Sequence, residues 1–223
     1  MDKIIISIEG NIGVGKSTFV DIIKNNITNS TIVHEPVDLW KKLVDTNGEN
    51  ILHKFYGNID RWAYSFQNLA CITRMIKIEE AIKSSSNKYI FLDRSLGTDK
   101  NVFEKMLYDS GKISEIEHQM YLMWCDFYHQ HIRPEFNNII IYLRSNPFIA
   151  HLRINKRGRD EEKDITIEYL ENLHKYHEKW LINNKKDNII IIDCDRDFEF
   201  DNNYQNEIIQ YVQNKINEII SQV

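Results

Sequence analysis

The stretch that decides the fold reads Gly10-Asn11-Ile12-Gly13-Val14-Gly15-Lys16-Ser17. It fits the Walker A pattern, in which a second glycine five positions after the first is followed by Lys and Ser. Lys3 to Ile8 form an apolar run that predicts a buried strand, and Thr18 to Ile27 can continue as a helix. Glycines let backbone N–H groups turn toward phosphate oxygens, while Lys16 adds charge and Ser17 can ligate Mg²⁺. The alternative is a chance glycine turn, but the strand and helix favour a loop that binds a nucleoside triphosphate.

Five short apolar runs recur along the chain, and longer segments with helical periodicity separate them. This alternation predicts an α/β fold of the P-loop kinase type, with a five-stranded parallel sheet that helices flank on both faces. The predicted strands are Ile4 to Ile8, Thr31 to His34, Tyr89 to Asp93, Ile139 to Leu143 and Ile189 to Asp193.

Composition limits the classes of protein to consider. With 223 residues, 42% hydrophobic and 27% charged, the chain suits a single domain over residues 1–223. A net charge of -5 argues against a nucleic-acid partner, and no apolar stretch approaches the ~18 to 20 residues of a membrane span. Cys71, Cys125 and Cys194 are scattered, which favours reduced core residues in the cytoplasm over metal ligands or a disulfide.

Polar residues follow the predicted strands, at the edge where parallel sheets bind ligands. Glu35 follows the second strand, which we expect to neighbour the strand before the P-loop, so its carboxylate could accept a proton from an acceptor hydroxyl. Asp93 ends the third strand as a Walker B acid would, and Arg94 beside it could bind the reacting group. The alternative is that both acids merely start loops or cap helices.

Two long helices are predicted, from Ile59 to Ser84 and from Ser114 to Arg133. In the first, Gln67 and Arg74 are two turns apart and could face one pocket, although solvent-exposed positions are an alternative. The same helix carries an apolar stripe at three- and four-residue spacing, most of which we expect in the core. The stripe comprises Trp62, Phe66, Leu69, Ile72, Thr73 and Ile76.

A basic segment around Gly158 contains Arg153, Lys156, Arg157 and Arg159. Such a run is often a solvated helix end. A P-loop enzyme, however, needs cations that close over the transferring phosphoryl group, and this segment follows the fourth strand. We therefore expect an arginine-rich lid over approximately residues 153–163.

Six motifs in order make the sequence similar to the deoxyribonucleoside kinase family over nearly the whole chain. Besides the P-loop, Arg61-Trp62 and Phe66-Gln67 resemble its substrate-pocket helix. Asp93-Arg94-Ser95 stands where the family commonly has Glu-Arg-Ser, so the metal arm is one methylene shorter. The other similar segments are Glu35-Pro36-Val37-Asp38-Leu39-Trp40, Tyr56, and Arg153 with Arg157-Gly158-Arg159-Asp160-Glu161-Glu162.

The resemblance implies transfer of the ATP γ-phosphate to a nucleoside 5′-hydroxyl, with Mg²⁺ as cofactor. It implies catalytic roles for Lys16, Glu35, Arg94 and Arg157, and metal binding by Ser17 and Asp93. The implied nucleoside-binding residues are Glu35, Trp40, Phe55, Tyr56, Phe66, Gln67, Arg74, Arg94, Asp99, Phe103 and Glu162. The implied ATP-binding residues are Gly10, Asn11, Ile12, Gly13, Val14, Gly15, Lys16, Ser17, Thr18, Arg153, Arg157, Arg159, Arg196, Asp197 and Phe198.

Arg74 and Asp99 match the pair that the deoxycytidine and deoxyguanosine kinase branch carries. Such a pair would fill the space of a thymine methyl and offer hydrogen bonds to an exocyclic amine or a purine N7. The resemblance thus implies deoxyadenosine, deoxyguanosine or deoxycytidine as substrate, with deoxyadenosine or deoxyguanosine slightly ahead, and a homodimer through the long helices. A thymidylate kinase-like enzyme and a non-catalytic P-loop protein are the alternatives.

Overall fold

The computed structural model of this chain describes residues 3–132, 139–159, 162–163, 165–183 and 188–222. A five-stranded sheet forms its centre, and every strand pair in it is parallel. The strands are β1 (Ile4–Gly10), β2 (Ser30–Val33), β3 (Tyr89–Asp93), β4 (Ile139–Arg144) and β5 (Ile189–Asp193). Each predicted strand is therefore present, with its ends within two residues of the prediction.

The order of strands across the sheet is β2-β3-β1-β4-β5. The P-loop strand β1 pairs with β3, where Ile6 lies opposite Phe91, and with β4, where Ile6 lies opposite Ile139. The expectation that the strand before Glu35 neighbours the P-loop strand is wrong, because β3 lies between β2 and β1. Strand order depends on tertiary packing, and local sequence patterns carry no information about it.

Helices cover both faces of the sheet, as predicted. The main helices are α1 (Lys16–Asn26), α2 (Val37–Lys42), α3 (Ile51–Gly57), α4 (Ile59–Ser84), α5 (Leu96–Thr98), α6 (Glu104–Asp109), α7 (Glu115–Phe127), α8 (Pro147–Arg157), α9 (Ile167–Leu181) and α10 (Asn202–Ser221). π-Helical turns join α5 to α6 (Asp99–Phe103) and extend α7 (Tyr128–Ile132). The predicted end of the second long helix, Arg133, lies outside the described residues.

Alternating side chains of β1 enter two different cores. Ile6 and Ile8 pack with α1 and α10, and Ile5 packs on the other side with α4 and α7. Because the strands are buried on both faces, β-branched residues run almost without interruption through them. Among the described helices, none is long and apolar enough to cross a lipid bilayer.

Only part of the apolar stripe on α4 lies in the core. Phe66 and Thr73 are buried, whereas Ile72 and Ile76 are 41% and 51% exposed. The expectation that most of the stripe is core is thus wrong at these two positions. The helix buries Gln67 and Arg74 instead, with exposures of 2% and 3%, because its inward face also forms the wall of a polar cavity.

Candidate active site

A cavity of about 250 Å³ opens at the carboxyl ends of β1, β2 and β3. The P-loop forms one end of it, and α2, α3 and α4 form the other. Arg157 and Arg159, from the basic segment at the end of α8, also line it. Of the predicted site residues, those lining the cavity are Ile12, Gly13, Gly15, Lys16, Ser17, Thr18, Glu35, Trp40, Phe55, Tyr56, Phe66, Gln67, Arg74, Asp93, Arg94, Asp99, Phe103, Arg157, Arg159 and Glu162.

The P-loop connects β1 to α1, which begins at Lys16. The Lys16 Nζ is buried and donates hydrogen bonds to the carbonyl oxygens of Gly10 (3.1 Å) and Asn11 (2.7 Å). Burial and the nearby Arg94 guanidinium lower the pKa of Lys16 to about 7. The lysine is thus folded back onto its own loop, where phosphate oxygens would replace the carbonyl groups as its partners.

Two arginines hold the Glu35 carboxylate. Arg94 Nη1 donates to Glu35 Oε2 at 2.9 Å, and Arg74 Nη2 donates to Oε1 at 2.8 Å. Burial by itself would raise the pKa of Glu35, but Arg94 and Arg74 outweigh it and lower the pKa to about 2. Glu35 is therefore ionised at any physiological pH, and both of its oxygens point at groups that line the cavity.

Arg74 and Asp99 form a buried ion pair at the inner end of the cavity. Arg74 Nε donates to Asp99 Oδ2 at 2.8 Å, and Arg74 Nη1 donates to the Asp93 carbonyl oxygen at 3.0 Å. Burial opposes the charge of Arg74, yet the carboxylates of Asp99 and Glu35 prevail and raise its pKa. Gln67 lies on the same face of α4, and its buried Oε1 has no hydrogen-bond partner among the described residues. A buried acceptor of this kind indicates a polar ligand group.

Aromatic rings enclose the space between Gln67 and Glu35. Phe55 and Phe66 stack with centroids 4.6 Å apart, and Trp40 meets Phe66 edge-on at 5.3 Å. The Trp40 indole N–H donates to Thr73 Oγ1 at 3.0 Å, which fixes the ring. Phe103 lies under the Arg94 guanidinium, 5.2 Å from ring centroid to Cζ. These flat apolar walls suit a planar ring system.

The basic segment, which comprises the end of α8 and the residues after it, divides into two parts. Arg157 Nη2 pairs with Glu162 Oε2 at 2.5 Å, and Arg159 Nη1 lies 3.6 Å from Glu162 Oε1, so both arginines reach the cavity. Asp160 and Glu161 of the same segment lie outside the described residues. Arg153 does not line the cavity: its Nη1 donates to the Cys194 carbonyl oxygen after β5 at 2.7 Å and approaches the Val14 carbonyl oxygen of the P-loop at 3.4 Å.

The segment after β5 that contains the expected ATP-binding residues Arg196, Asp197 and Phe198 lies beside the P-loop. Phe198 is a core residue whose ring packs edge-on against Phe19, 6.4 Å between centroids, and near Gly15. Arg196 and Asp197 are exposed, and Arg196 lies 3.9 Å above the Tyr204 ring. Gly10, Asn11 and Val14 are buried within the P-loop and do not line the cavity. Gly10, Asn11 and Val14 thus form part of the loop that carries the cavity-lining residues.

Ser17 and Asp93 stand at the phosphate end of the cavity. The Asp93 Oδ1 is buried and has no hydrogen-bond partner within the described part of the chain. A hydroxyl and one free carboxylate oxygen, with phosphate oxygens and water as further ligands, are the donor set that Mg²⁺ prefers. The residues present therefore fit Mg²⁺.

Sequence reasoning missed several cavity residues, of which Tyr169 matters most. It lies in the first turn of α9, and its buried hydroxyl has no partner among the described residues. Burial raises its pKa, so the phenol stays protonated and can donate to a ligand. A tyrosine in an amphipathic helix is usually a packing residue, so no sequence signal distinguishes it. The other missed residues are Val37, Lys41, Leu52 and Ala70.

Comparison with known proteins agrees with this geometry. The family described as Deoxynucleoside kinase matches residues 6–217. A fowlpox virus (strain NVSL) protein named "Probable deoxycytidine kinase" is 36% identical over 218 residues, covering 96% of this chain and 88% of that protein. Human deoxycytidine kinase is 36% identical over 194 residues, which cover 79% and 75% of the two chains. The mitochondrial deoxyguanosine kinase of Xenopus laevis is 32% identical, with coverages of 87% and 82%. The chain therefore belongs to the deoxynucleoside kinase family and is an ATP-dependent deoxynucleoside kinase.

Proposed function

We propose that residues 1–223 form a single kinase domain that transfers the γ-phosphate of ATP to the 5′-hydroxyl of deoxycytidine, deoxyadenosine or deoxyguanosine. The observation that carries the proposal is one cavity that joins Lys16 of the P-loop, the Glu35 carboxylate and the unpartnered Gln67 amide oxygen. The donor phosphates, the acceptor hydroxyl and the nucleobase each have a matching group there.

In the proposed reaction, the nucleoside 5′-oxygen attacks the γ-phosphorus, the bond to the β-phosphate oxygen breaks, and the hydroxyl proton passes to Glu35. A loose transition state demands little proton removal before the new bond forms. A weakly basic carboxylate such as Glu35 therefore suffices, and its main task is to orient the hydroxyl. Arg94, Arg157 and Lys16 would stabilise charge on the transferring group. Ser17 and Asp93 would hold Mg²⁺, which would supply positive charge against the donor phosphates.

The base pocket supports an amino-bearing nucleobase. Gln67 can accept a hydrogen bond from an exocyclic amine with Oε1 and donate one to a ring nitrogen with its amide group. The Arg74–Asp99 pair would occupy the space of a thymine 5-methyl group. The sequence pattern alone favours the two purine nucleosides, but we place deoxycytidine first, because two relatives at 36% identity carry the name deoxycytidine kinase. Tyr56 and Glu162 would bind the 3′-hydroxyl.

A panel of deoxynucleosides and their monophosphates, each incubated with purified protein, ATP and Mg²⁺, tests this proposal. We expect monophosphate products, with deoxycytidine, deoxyadenosine or deoxyguanosine preferred over thymidine. Phosphorylation of monophosphates alone would instead indicate an enzyme of the thymidylate kinase type. Lys16→Ala should abolish turnover, whereas Lys24→Ala, a change in the last turn of the same helix, should leave it intact.

The double variant Arg74→Met with Asp99→Ala tests the base pocket. Both groups must be changed together, because removing one leaves the other as an unpaired buried charge. We expect thymidine to become a substrate and deoxycytidine to lose its advantage. Arg61→Met, at an exposed position of the same helix, is the control. Continued exclusion of thymidine by the folded double variant would refute the methyl-exclusion argument.

We also propose that the enzyme is a homodimer of the cytoplasm. Exposed apolar side chains on α4 and α7 support the dimer, since a patch of this kind is usual at an interface. They are Ile72, Ile76, Ile116, Met120, Met123, Trp124 and Phe127. The cytoplasmic assignment is supported by Cys71, Cys125 and Cys194, all of which are free buried thiols.

A further inference from the structure

Arg94 adopts a backbone conformation that L-residues avoid. Its φ is +65°, in the left-handed region, and within the described residues only Asn29 shares this property among non-glycine residues. Asparagine visits this region readily because its short side chain can bond locally, whereas arginine does not. Surrounding contacts must therefore impose the conformation of Arg94.

This conformation aims the Arg94 side chain into the active site. The Arg94 N–H still donates to the Ile8 carbonyl oxygen at 3.1 Å, continuing the β1–β3 pairing. The guanidinium then turns back to Glu35 Oε2 at 2.9 Å and approaches the Gly10 carbonyl oxygen at 3.4 Å. An extended backbone at this position would direct the side chain elsewhere.

The Glu9 carboxylate holds the turn immediately after Arg94. Glu9 Oε1 accepts hydrogen bonds from the Ser95 N–H at 3.0 Å and from the Ser95 hydroxyl at 2.5 Å. Glu9 Oε2 accepts one from the Thr98 hydroxyl in the following helix. Since Ser95 also caps α5, one carboxylate joins the end of β1 to the start of that helix.

The position of Glu9 is costly for the fold. Its side chain is fully buried, and no Lys or Arg pairs with it among the described residues. Burial raises the pKa of Glu9, because it penalises the charged form of the carboxyl group. An apolar residue would avoid this cost, but it would leave the Ser95 N–H and the Thr98 hydroxyl without their acceptor. The carboxylate is therefore better explained by the turn that it holds than by stability.

We infer that Glu9 is a positioning residue for Arg94: its contacts with Ser95 and Thr98 fix the turn that carries the Arg94 guanidinium to Glu35. The inference rests on the function proposed above, because it needs Arg94 to act on the reacting groups. It concerns a residue of β1 that does not line the cavity itself.

A double-mutant cycle tests the inference. Glu9→Gln keeps the size of the side chain but offers only one carbonyl oxygen to its three donors. We expect kcat to fall about tenfold or more while KM for ATP changes less than about twofold, since the P-loop is untouched. In the Arg94→Ala background, the same Glu9→Gln change should alter kcat less than about twofold, because the two residues act through one interaction.

Thr98→Val and Glu104→Gln complete the design. Thr98→Val removes one donor from outside β1 and should lower kcat in the same Arg94-dependent way, so it replaces Glu9→Gln if that variant does not fold. Glu104→Gln alters another fully buried carboxylate, which bonds to His118 Nδ1 at 2.8 Å. It should lower the melting temperature and show no coupling to Arg94.

Either of two results with the Glu9→Gln variant would overturn the inference. One is equal loss of kcat from Glu9→Gln with and without Arg94, which would mean a general structural effect. The other is unchanged kcat in Glu9→Gln. If Arg94→Ala alone leaves kcat unchanged, the role proposed for Arg94 fails, and the inference fails with it. A panel that yields no phosphorylated nucleoside in the wild-type protein would instead refute the proposed function itself.

Discussion

Lys16 changes partners when phosphate arrives, and this change has a consequence for protons. Among the described residues, its ammonium group donates to the Gly10 and Asn11 carbonyl oxygens, and its pKa is about 7. Near pH 7 the molecules are therefore a mixture with charged and with neutral Lys16. Negative phosphates beside Lys16 favour the charged form and raise its pKa.

We expect ATP binding to take up protons near pH 7, and more of them as the pH rises toward 8. ATP affinity should accordingly fall as the pH rises above about 7. Calorimetry in two buffers of different ionisation enthalpy measures this uptake. Lys16→Arg keeps the positive charge, but arginine does not titrate in this pH range. ATP binding to this variant should therefore take up far fewer protons. Undiminished proton uptake in that variant would contradict the assignment to Lys16.

The lowered pKa of Glu35 affects the free energy of unfolding. Its pKa in the folded protein is about 2, below the ordinary value of about 4.3, so the ionised form is stabilised on folding. This stabilisation is fully present above about pH 5 and is lost as the pH falls toward 2. Its size is on the order of 3 kcal/mol, from ~1.4 kcal/mol for each pKa unit.

The Glu35→Gln variant should therefore unfold more easily than the wild type at pH 7, and the gap should shrink as the pH falls from 5 to 2. Urea unfolding at a series of pH values measures the difference in free energy of unfolding. Asp38→Asn, at an exposed position nearby, is the control and should show no such trend. A pH-independent gap for Glu35→Gln would show that its ion pairs with Arg74 and Arg94 do not stabilise the fold.

At the scale of elements, the P-loop and α8 are packed too closely for any side chain at Gly13. Its φ is +79°, and a Cβ there would overlap the Ala150 carbonyl oxygen and lie 2.8 Å from the Ile154 side chain. Gly48 has a similar φ of +82°, but a Cβ there would meet nothing within 4 Å. Any other residue would thus be strained at both positions, but it would be crowded only at Gly13.

Gly13→Ala should destabilise the protein more than Gly48→Ala, by about 1–3 kcal/mol, because only the first adds overpacking to the strain. It should also weaken ATP binding, since α8 or the P-loop must move. Thermal unfolding and nucleotide titration of both variants measure these effects. Equal behaviour of the two would mean that the contact between the P-loop and α8 yields freely.

The sequence was most informative where one residue class fills an element. The isoleucine runs of β1 and β4 predict these strands closely. The helix α4, which is capped by Asn58 and Ser85, begins and ends where the sequence predicts. The π-helical turn at Asp99 could not be foreseen, because it depends on packing around the cavity. Gln67 and Arg74 look like surface residues in their helix, and only the tertiary fold buries them.

Glu9 illustrates the same limit for the site. In the sequence it is simply the residue before the Walker glycine, and its partners Ser95 and Thr98 are more than eighty positions away. No local period connects such residues. Strand order cannot be predicted from local sequence for the same reason. The sequence therefore indicates Glu35 as a site residue but does not show that β3 lies between its strand and β1.

At the scale of the whole molecule, the proposed dimer depends on the outer faces of α4 and α7. Met123 is 71% exposed, and its neighbours Met120 and Trp124 extend the apolar surface. A monomer of 26.6 kDa would leave this surface in water.

We expect light scattering at micromolar concentration to give twice the monomer mass of 26.6 kDa. Met123→Glu combined with Ile76→Glu should shift the protein to monomers, because charges would be buried without partners. Phe148→Glu, on the exposed face of α8, should leave the dimer intact. A wild-type protein that scatters as a monomer would refute the dimer.

The position of β3 between β1 and β2 sets the length of the reaction path. Neighbouring strands are about 4.8 Å apart, so the end of β2, which carries Glu35, lies about 10 Å from the end of β1, which carries the P-loop. That interval leaves room for an acceptor hydroxyl, a phosphoryl group and a leaving oxygen in line. The end of β3 supplies Asp93 and Arg94 at its midpoint. The sheet thus sets the distance between donor and acceptor, because β3 lies between the strands that carry them.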